Sequence, residues 1–505
     1  MKLFASIASI AACAVCAVSA AAPAAVVQID SGRISGTTES GIASYKGIPY
    51  AAPPVGKLRW RPPQPVAAWT GVRPADKVGP LCMQQINTQD NGVGPPPDSE
   101  DCLNLDVYAP AKARQAKLPV MFWIHGGGYV NGSGTAALYN GTELARQGVV
   151  VVSINYRLGR FGFFAHPALT QESPDGPLGN YAFMDQIAAL QWVKHNIAVF
   201  GGDPGNVTIF GESAGGGSVI NLMISPAAQG LFHKAISQSG VARADFPYLN
   251  HTNDSGIPSA EDQGRFFAMS LGVTTDDVQA LRAIPAQRII DAGDPDFQTG
   301  GPMIDGKILT SRADVAFAKH AESRVPFLLG SNALEFPPPN SKKREREMLR
   351  FPASQGARLL AAYGSEDAFN TNIVSDILFT EPARFLARTH SGVAPVFLYR
   401  FSVLSQQAPK DIKAAPHASD RQYVFKTLNT SPWPTGAMDA RAAVLISAYW
   451  VSFARTGDPN GNGRLTWPAY RTSDDQLINF KNDDPEIEKV PNTASLDAIA
   501  SGYPQ

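Results

Sequence analysis

Gly211-Glu212-Ser213-Ala214-Gly215 follows a β-branched run at 207–210 and leads into an apolar segment at 218–223. This order is typical of a sharp turn that joins a strand to a helix. A serine at the centre of such a turn has a strained backbone, and glycines on both sides avoid the clashes that larger residues would cause. We therefore predict a nucleophile elbow with Ser213 as the reactive residue.

A second glycine-rich motif, His125-Gly126-Gly127-Gly128, directly follows the apolar run Leu118–Ile124. Glycines at this position allow backbone amides to turn toward a developing negative charge. We expect the amides of Gly127 and Gly128, together with that of Ala214, to form an oxyanion hole. The alternative interpretation is a simple glycine-rich turn.

A serine nucleophile also needs a base and a carboxylate that orients the base. In one common arrangement the acid and then the histidine follow the serine along the chain. Glu335 comes six residues after the apolar run 327–329, where a strand is expected to end. Asp305 is the alternative acid, although the pair Asp305-Gly306 is more simply explained as a turn.

Two histidines come later in the chain than Glu335. His390 ends a helical segment just before Gly392, where a histidine commonly caps carbonyl groups. His417 lies in a loop beyond the apolar run 396–399, and a loop gives the freedom that a proton shuttle needs. We therefore predict His417 as the base and Glu335 as the acid. The remaining histidines form no spaced ligand set, so no metal site and no cofactor are expected.

Continuous apolar runs at 118–124, 149–154, 207–210, 327–329 and 396–399 predict buried parallel strands. Apolar residues recur at spacings of three and four within 185–200, which predicts a helix that stops at Gly201. Short alternating runs at 26–60 indicate antiparallel edge strands. We therefore expect an α/β fold with a mostly parallel central sheet, antiparallel N-terminal edge strands and helices on both faces.

The 505 residues carry a formal net charge of −1. This balance excludes the strongly basic surface that nucleic acid or an anionic membrane requires. No linker, charge block or repeat divides the sequence, so we expect one large domain at 21–505 that contains insertions.

The N-terminus has Lys2, an apolar stretch at 3–18 and then small residues up to Ala20. This pattern predicts a cleavable signal peptide at 1–20 and a secreted or periplasmic protein. The stretch is too short for a stable membrane anchor. A lipoprotein signal at Cys13 is the alternative.

Cys13 and Cys16 fall within the predicted signal peptide, so Cys82 and Cys102 alone remain in the mature chain. Export to an oxidising compartment and an even pair of cysteines favour a disulfide, and two unrelated buried thiols are the alternative. The disulfide would close a loop of about 20 residues, which stabilises the fold by about 3 kcal/mol in the chain-entropy model.

The chain resembles the type-B carboxylesterase/lipase family of cholinesterase-like α/β-hydrolases, in particular its bacterial para-nitrobenzyl-esterase-like members. The resemblance covers nearly all of the mature sequence. Besides the elbow, it rests on 45–51 (YKGIPYA), 100–105 (EDCLNL), 155–159 (NYRLG), 200–204 (FGGDP) and 453–459 (FARTGDP).

The resemblance implies the α/β-hydrolase fold with inserted helical cap regions and the same Ser213, Glu335 and His417 triad. It also implies the oxyanion donors named above and a Cys82–Cys102 disulfide. In the family, the disulfide loop borders the entrance to the active site, which makes Val93 a candidate substrate contact. Phe336 is a second candidate, because family members often have glycine after the acid, whereas this chain has Phe336 and then three prolines.

These patterns predict a serine carboxylic ester hydrolase that acts on a small-molecule ester through an acyl-enzyme. A specialised hydrolase of polyester, xenobiotic or toxin esters or amides would use the same triad, because pocket shape decides the substrate. A non-catalytic cholinesterase-like binding protein is the alternative from a different functional class. Such relatives usually lack a triad residue, whereas this chain retains all three.

Overall fold

The computed structural model describes residues 22–86, 92, 98–292, 300–336, 341–349, 351–352, 354–461 and 463–503. The predicted signal peptide at 1–20 and Val93 lie outside these residues, as do the three prolines that follow Phe336. Within the described ranges, no helix is both long enough and apolar enough to cross a membrane.

The strands of the described residues are β1 (Ala22–Pro23), β2 (Val27–Ile29), β3 (Gly32–Ser35), β4 (Thr37–Glu39), β5 (Ile42–Pro49), β6 (Val72–Pro74), β7 (Leu81–Cys82), β8 (Asp98–Ser99), β9 (Asn104–Pro110), β10 (Leu118–Ile124), β11 (Val150–Ile154), β12 (Phe163–Phe164), β13 (Gly179–Asn180), β14 (Gly202–Glu212), β15 (Lys234–Gln238), β16 (Phe327–Asn332), β17 (Val396–Phe401), β18 (Gln476–Phe480) and β19 (Glu486–Lys489).

The α-helices of the same residues are α1 (Thr142–Ala145), α2 (Gly159–Gly162), α3 (Pro167–Glu172), α4 (Tyr181–Asn196), α5 (Ala214–Ile224), α6 (Ala260–Ser270), α7 (Val278–Arg282), α8 (Ala286–Asp291), α9 (Ala313–Ala318), α10 (Ser341–Met348), α11 (Gln355–Tyr363), α12 (Glu366–Ser375), α13 (Glu381–His390), α14 (Arg421–Phe425), α15 (Ala437–Thr456) and α16 (Thr493–Ala500). A π-helical turn, Asp376–Thr380, connects α12 to α13.

The main sheet has twelve strands in the order β1-β4-β5-β9-β11-β10-β14-β15-β16-β17-β18-β19. The strands from β11 to β18 in this order are parallel to one another. The N-terminal strands β1, β4, β5 and β9 pair antiparallel, as does the last strand, β19. The structure therefore confirms the expected mixed sheet with a parallel centre.

Helices cover both faces of this sheet. Along β10, Val120, Phe122 and Ile124 belong to one buried cluster, whereas Met121 and Trp123 belong to the other. Successive side chains of a strand point to opposite faces, so a strand covered on both sides reads as a continuous apolar run. Helices α4 and α5 supply side chains to the first cluster and α15 supplies them to the second.

Several strands and one helix have bounds that differ from those expected. β10 has the predicted limits, whereas β14, β16 and β17 are longer than the apolar runs that predicted them. Strand pairing continues through polar residues such as Asn332, which aligns with Phe401 on the neighbouring strand. The predicted helix at 185–200 begins earlier, at Tyr181, and its last four residues form a 3-10 turn before Gly201.

Parallel strands share one direction, so the carboxyl ends of β10, β14, β15, β16 and β17 meet at one edge of the sheet. Ligand sites of open α/β sheets lie outside this edge. The segments that follow these strands contain Gly126, Ser213, Ser239, Glu335 and His417.

Candidate active site

Ser213 lies between the end of β14 and the start of α5 with φ 57° and ψ −123°. A side chain at Gly215 would place its Cβ 2.1 Å from the carbonyl oxygen of Ile124, and one at Gly211 would lie 2.6 Å from Gly215. The turn therefore packs so closely against β10 that only glycine fits at these two positions. The Ser213 amide donates to the Gln238 carbonyl at 2.9 Å, which ties the turn to β15.

Ser213, His417 and Glu335 form one hydrogen-bonded line. His417 Nε2 lies 2.9 Å from Ser213 Oγ, and His417 Nδ1 lies 2.6 Å from Glu335 Oε2. The His417 amide also donates to the backbone carbonyl of Glu335 at 2.8 Å. The loop that contains His417 is thus held to the loop that contains Glu335 by one backbone and one side-chain hydrogen bond.

Glu335 is buried and its second carboxylate oxygen has two donors of its own. Oε1 accepts hydrogen bonds from Ser239 Oγ and from the Asn332 amide, both at 2.7 Å. Hydrogen bonds to a carboxylate oxygen restrain the orientation of the carboxylate. No sequence pattern indicated Ser239, although this residue directly follows β15 at the same edge of the sheet.

The glycine-rich loop passes directly over the serine. A side chain at Gly126 would place its Cβ 3.1 Å from the Cβ of Ser213. Gly127 and Gly128 have φ values of 99° and 62°, which favour glycine. Among the described residues, the amides of Gly127, Gly128 and Ala214 donate no hydrogen bond to another protein group. These amides are available for an acceptor beside Ser213.

The disulfide loop supports this glycine-rich loop. Cys82 and Cys102 form a disulfide, with their Cα atoms 4.9 Å apart. Close to Cys82, the side chain of Gln84 accepts from the Gly132 amide at 2.8 Å and donates to the Gly132 carbonyl at 3.0 Å. The Ser133 amide donates to the Gly92 carbonyl at 3.2 Å. The covalent link and the glycine-rich loop are therefore connected through a few buried hydrogen bonds.

Three charged groups set the electrostatics of His417. Burial and the charge of Arg421 lower the pKa of the imidazole, but Glu212 and Glu335 outweigh both effects and raise the pKa above its ordinary value. Glu212 Oε1 lies 3.3 Å from His417 Nε2. Burial raises the pKa of Glu212 to about 7, against the opposing charges of His417 and Arg421.

Two aromatic rings lie against the imidazole of His417. The centroid of Phe379 lies 5.0 Å from that of His417, and the centroid of Phe336 lies at 5.2 Å. Phe379 belongs to the π-helical turn, and π-turns are frequent at functional sites. The predicted contact residue Phe336 is thus beside the histidine, whereas no sequence pattern indicated Phe379.

The two alternative residues have other partners. Asp305 accepts from the amides of Ile308 and Leu309, at 3.0 and 2.8 Å, as the turn interpretation predicts. His390 Nδ1 lies 2.7 Å from Glu322, and its Nε2 lies 2.8 Å from the Val325 carbonyl. No group of three or more His, Cys, Asp or Glu residues within the described ranges could hold a metal ion.

Known proteins resemble this chain over most of its length. The chain matches the model of the "Carboxylesterase family" over residues 23–350 and 362–499. It is 36% identical over 468 residues to the fumonisin B1 esterase of Sphingopyxis macrogoltabida, covering 87% of this chain and 83% of the relative. It is 35% identical over 499 residues to the para-nitrobenzyl esterase of Bacillus subtilis (strain 168), covering 92% and 97%.

A solved structure of a PNB esterase superposes with a TM-score of 0.84 at 32% identity, covering 95% of this chain and 99% of that one. The fold is therefore the α/β-hydrolase fold, and the relatives are carboxylic ester hydrolases. The sequence, the fold and the relatives together establish that this chain belongs to the carboxylesterase family.

Proposed function

We propose that this carboxylesterase works by two-step acyl transfer through Ser213, His417 and Glu335. The observation that carries the proposal is the continuous hydrogen-bonded line from Ser213 Oγ to His417 at 2.9 Å and from His417 to Glu335 at 2.6 Å. In this mechanism a nucleophile, a base and an orienting carboxylate act as a unit.

In the first step, Ser213 Oγ attacks the ester carbonyl and its proton moves to His417 Nε2. The carbonyl π electrons move to the oxygen, and this oxyanion is stabilised by the amides of Gly127, Gly128 and Ala214. The carbonyl then re-forms as the C–O bond to the alcohol breaks, and His417 returns its proton to the leaving oxygen. Water attacks the acyl-enzyme in the same manner and releases the acid. Glu335 stays ionised and holds the imidazole ring in its orientation.

The unpaired amides of the glycine-rich loop support the oxyanion role. One donor of this kind typically lowers the barrier by about 3 kcal/mol. Since Gly128 is exposed and Gly127 is partly exposed, a substrate can reach both amides. The close approach of the loop to Ser213 supports the same assignment, because a Cβ added at Gly126 would lie 3.1 Å from the Cβ of Ser213.

The proposal is tested with a p-nitrophenyl ester series from acetate to palmitate, hydrolysed by the purified chain and by Ser213→Ala. We expect hydrolysis that depends on acyl length and falls by at least about 1000-fold in the variant, because no other nucleophile replaces the hydroxyl. Circular dichroism and thermal unfolding confirm that the variant is folded. A folded Ser213→Ala variant with undiminished activity would contradict the assignment.

The substrate is a separate question from the chemistry. The relative named for fumonisin B1 supports a hydrolase of a toxin ester as the second candidate function. The rings of Phe336 and Phe379 beside His417 support a restricted site. The same assay with bulky alcohol esters distinguishes the two candidates. A folded chain that hydrolyses no ester would favour the binding-protein alternative.

A further inference from the structure

Glu212, the residue before Ser213, is a buried carboxylate that the proposed mechanism does not use. Its exposed fraction is 1%, and its Oε1 accepts no hydrogen bond from the described residues. Buried carboxylate oxygens normally have a donor. Glu212 Oε1 instead faces His417 Nε2 at 3.3 Å, while that nitrogen is directed at Ser213 Oγ.

Arg421 is a permanent cation that lies within 4 Å of this carboxylate. Its Nε lies 3.9 Å from Glu212 Oε2 and donates to the Ala418 carbonyl at 2.9 Å. Its Nη1 donates to the hydroxyl of Tyr139 at 2.9 Å. These contacts hold the guanidinium beside Glu212 Oε2, and arginine stays protonated at every relevant pH.

Two basic side chains and two carboxyl groups act on Glu212. His417, Arg421, Glu335 and Asp420 all influence Glu212, and Asp420 is itself buried, with Gln238 Nε2 2.7 Å from its Oδ2. Glu335 and Asp420 disfavour the ionised form of Glu212, whereas His417 and Arg421 favour it. Because His417 is neutral when it acts as a base, the positive charge that still favours ionised Glu212 in the resting site comes, among the described residues, from Arg421.

We infer that Arg421 is a positioning residue that keeps Glu212 ionised, so that Glu212 acts as a second carboxylate partner of the His417 imidazolium during acyl transfer. This inference rests on the proposed function. When Ser213 Oγ bonds to the carbonyl carbon, its proton moves to His417 Nε2 and the imidazolium forms between two carboxylates. Glu335 accepts from Nδ1–H, and Glu212 stabilises the charge beside Nε2 without taking the proton. The proton then passes to the leaving oxygen.

The test is the pH dependence of kcat for the wild type, Arg421→Gln and Arg421→Lys on p-nitrophenyl acetate. Loss of the positive charge raises the pKa of Glu212 further, so the carboxyl is protonated at pH 7 and ionises at higher pH. For Arg421→Gln we expect kcat to fall about five-fold at about pH 7 and to return to within about two-fold of the wild type at about pH 9. Arg421→Lys should keep the wild-type profile, since it retains the charge.

A second pair of variants shows whether Arg421 acts through Glu212. Glu212→Gln should lose activity at every pH, because no carboxylate remains to be ionised. The double variant Glu212→Gln/Arg421→Gln should have the same kcat as Glu212→Gln, since the two losses are not additive when one residue acts through the other. Arg265→Met is the control, since Arg265 forms an exposed ion pair with Asp276 at 2.9 Å. This variant should have the wild-type pH profile.

Three results would overturn the inference: an equal loss of kcat for Arg421→Gln at both pH values, additive losses in the double variant, or a wild-type profile for Arg421→Gln. If Arg421→Gln unfolds, Arg421→Met replaces it in the comparison of kcat at the two pH values. Thermal unfolding of each variant distinguishes a loss of stability from a loss of activity. Undiminished hydrolysis by Ser213→Ala would instead refute the proposed function, whatever the Arg421 variants do.

Discussion

At the scale of single residues, the hydroxyl of Ser239 helps to orient Glu335, the proposed acid. The order of residues along the chain does not predict this contact. It donates to Glu335 Oε1 at 2.7 Å, while His417 Nδ1 is hydrogen-bonded to the other carboxylate oxygen, Oε2. A hydrogen bond to a charged group contributes about 1.5–3 kcal/mol. Removal of this donor should leave Glu335 less well oriented toward His417.

We predict that Ser239→Ala lowers kcat by about ten-fold with little change in KM, because the lost interaction restrains the proposed acid and does not contact the substrate. Steady-state kinetics on a p-nitrophenyl ester measures this effect. Ser447→Ala is the control, since Ser447 on α15 is an equally buried serine whose Oγ accepts a hydrogen bond from Gln147 Nε2. Equal kcat values for both variants would contradict a specific role for Ser239.

At the scale of elements, the junction of β14 and α5 depends on its contact with the end of β10. The Cβ that an alanine would add at Gly215 lies 2.1 Å from the Ile124 carbonyl and 2.8 Å from the His125 carbonyl. Both contacts are with backbone of the segment that leads into the glycine-rich loop. Neither element can move without displacing Ser213 or the loop beside it.

Gly215→Ala should therefore reduce kcat by at least about 100-fold and destabilise the fold by about 1–3 kcal/mol, as overpacking usually does. Esterase kinetics and urea unfolding measure the two effects. Gly356→Ala in α11 is the matched control, since an added Cβ there meets no atom within 4 Å. Gly356→Ala should keep full activity, and a fully active Gly215→Ala would show that the junction is less tightly packed than described.

At the scale of the whole molecule, the disulfide contributes to the stability of the fold and also supports the glycine-rich loop of the candidate active site. Cys82 and Cys102 are separated by 20 residues, and closure of such a loop stabilises a fold by about 3 kcal/mol in the chain-entropy model. Gln84, two residues after Cys82, is hydrogen-bonded to the backbone of Gly132, which lies a few residues beyond the proposed oxyanion donors. The disulfide is therefore expected to affect both folding and catalysis.

For Cys82→Ser/Cys102→Ser we predict a melting temperature lower by several degrees and a kcat lower by about two- to five-fold, because the glycine-rich loop loses part of its support. Differential scanning calorimetry and ester kinetics measure these effects. Gln84→Ala separates them, since it should lower kcat while the disulfide remains. Unchanged kcat in both variants would show that the loop is held independently of the disulfide.

Local sequence was sufficient for the sheet and for the elbow. β10 is confirmed with its predicted bounds, and the other predicted strands are confirmed with shifted ends. A strand covered on both faces must be continuously apolar, and a strained turn must have glycines, so both features are visible within a few residues. The roles of Ser213, Glu335 and His417 stay predictions, now supported by their hydrogen bonds. The signal peptide and the contact at Val93 also stay predictions.

Sequence alone therefore determined the family, the parallel core and the residues that could react, because these depend on local patterns and on chain order. Only the tertiary structure decided which groups surround the imidazole of His417. These groups come from separate segments of the chain: Glu212, Ser239, Phe379 of the π-helical turn, and Arg421. Ser213 and His417 are themselves 204 residues apart. The charge and orientation of a buried group depend on neighbours within a few ångströms, and packing brings those neighbours together without a periodic signal in the sequence.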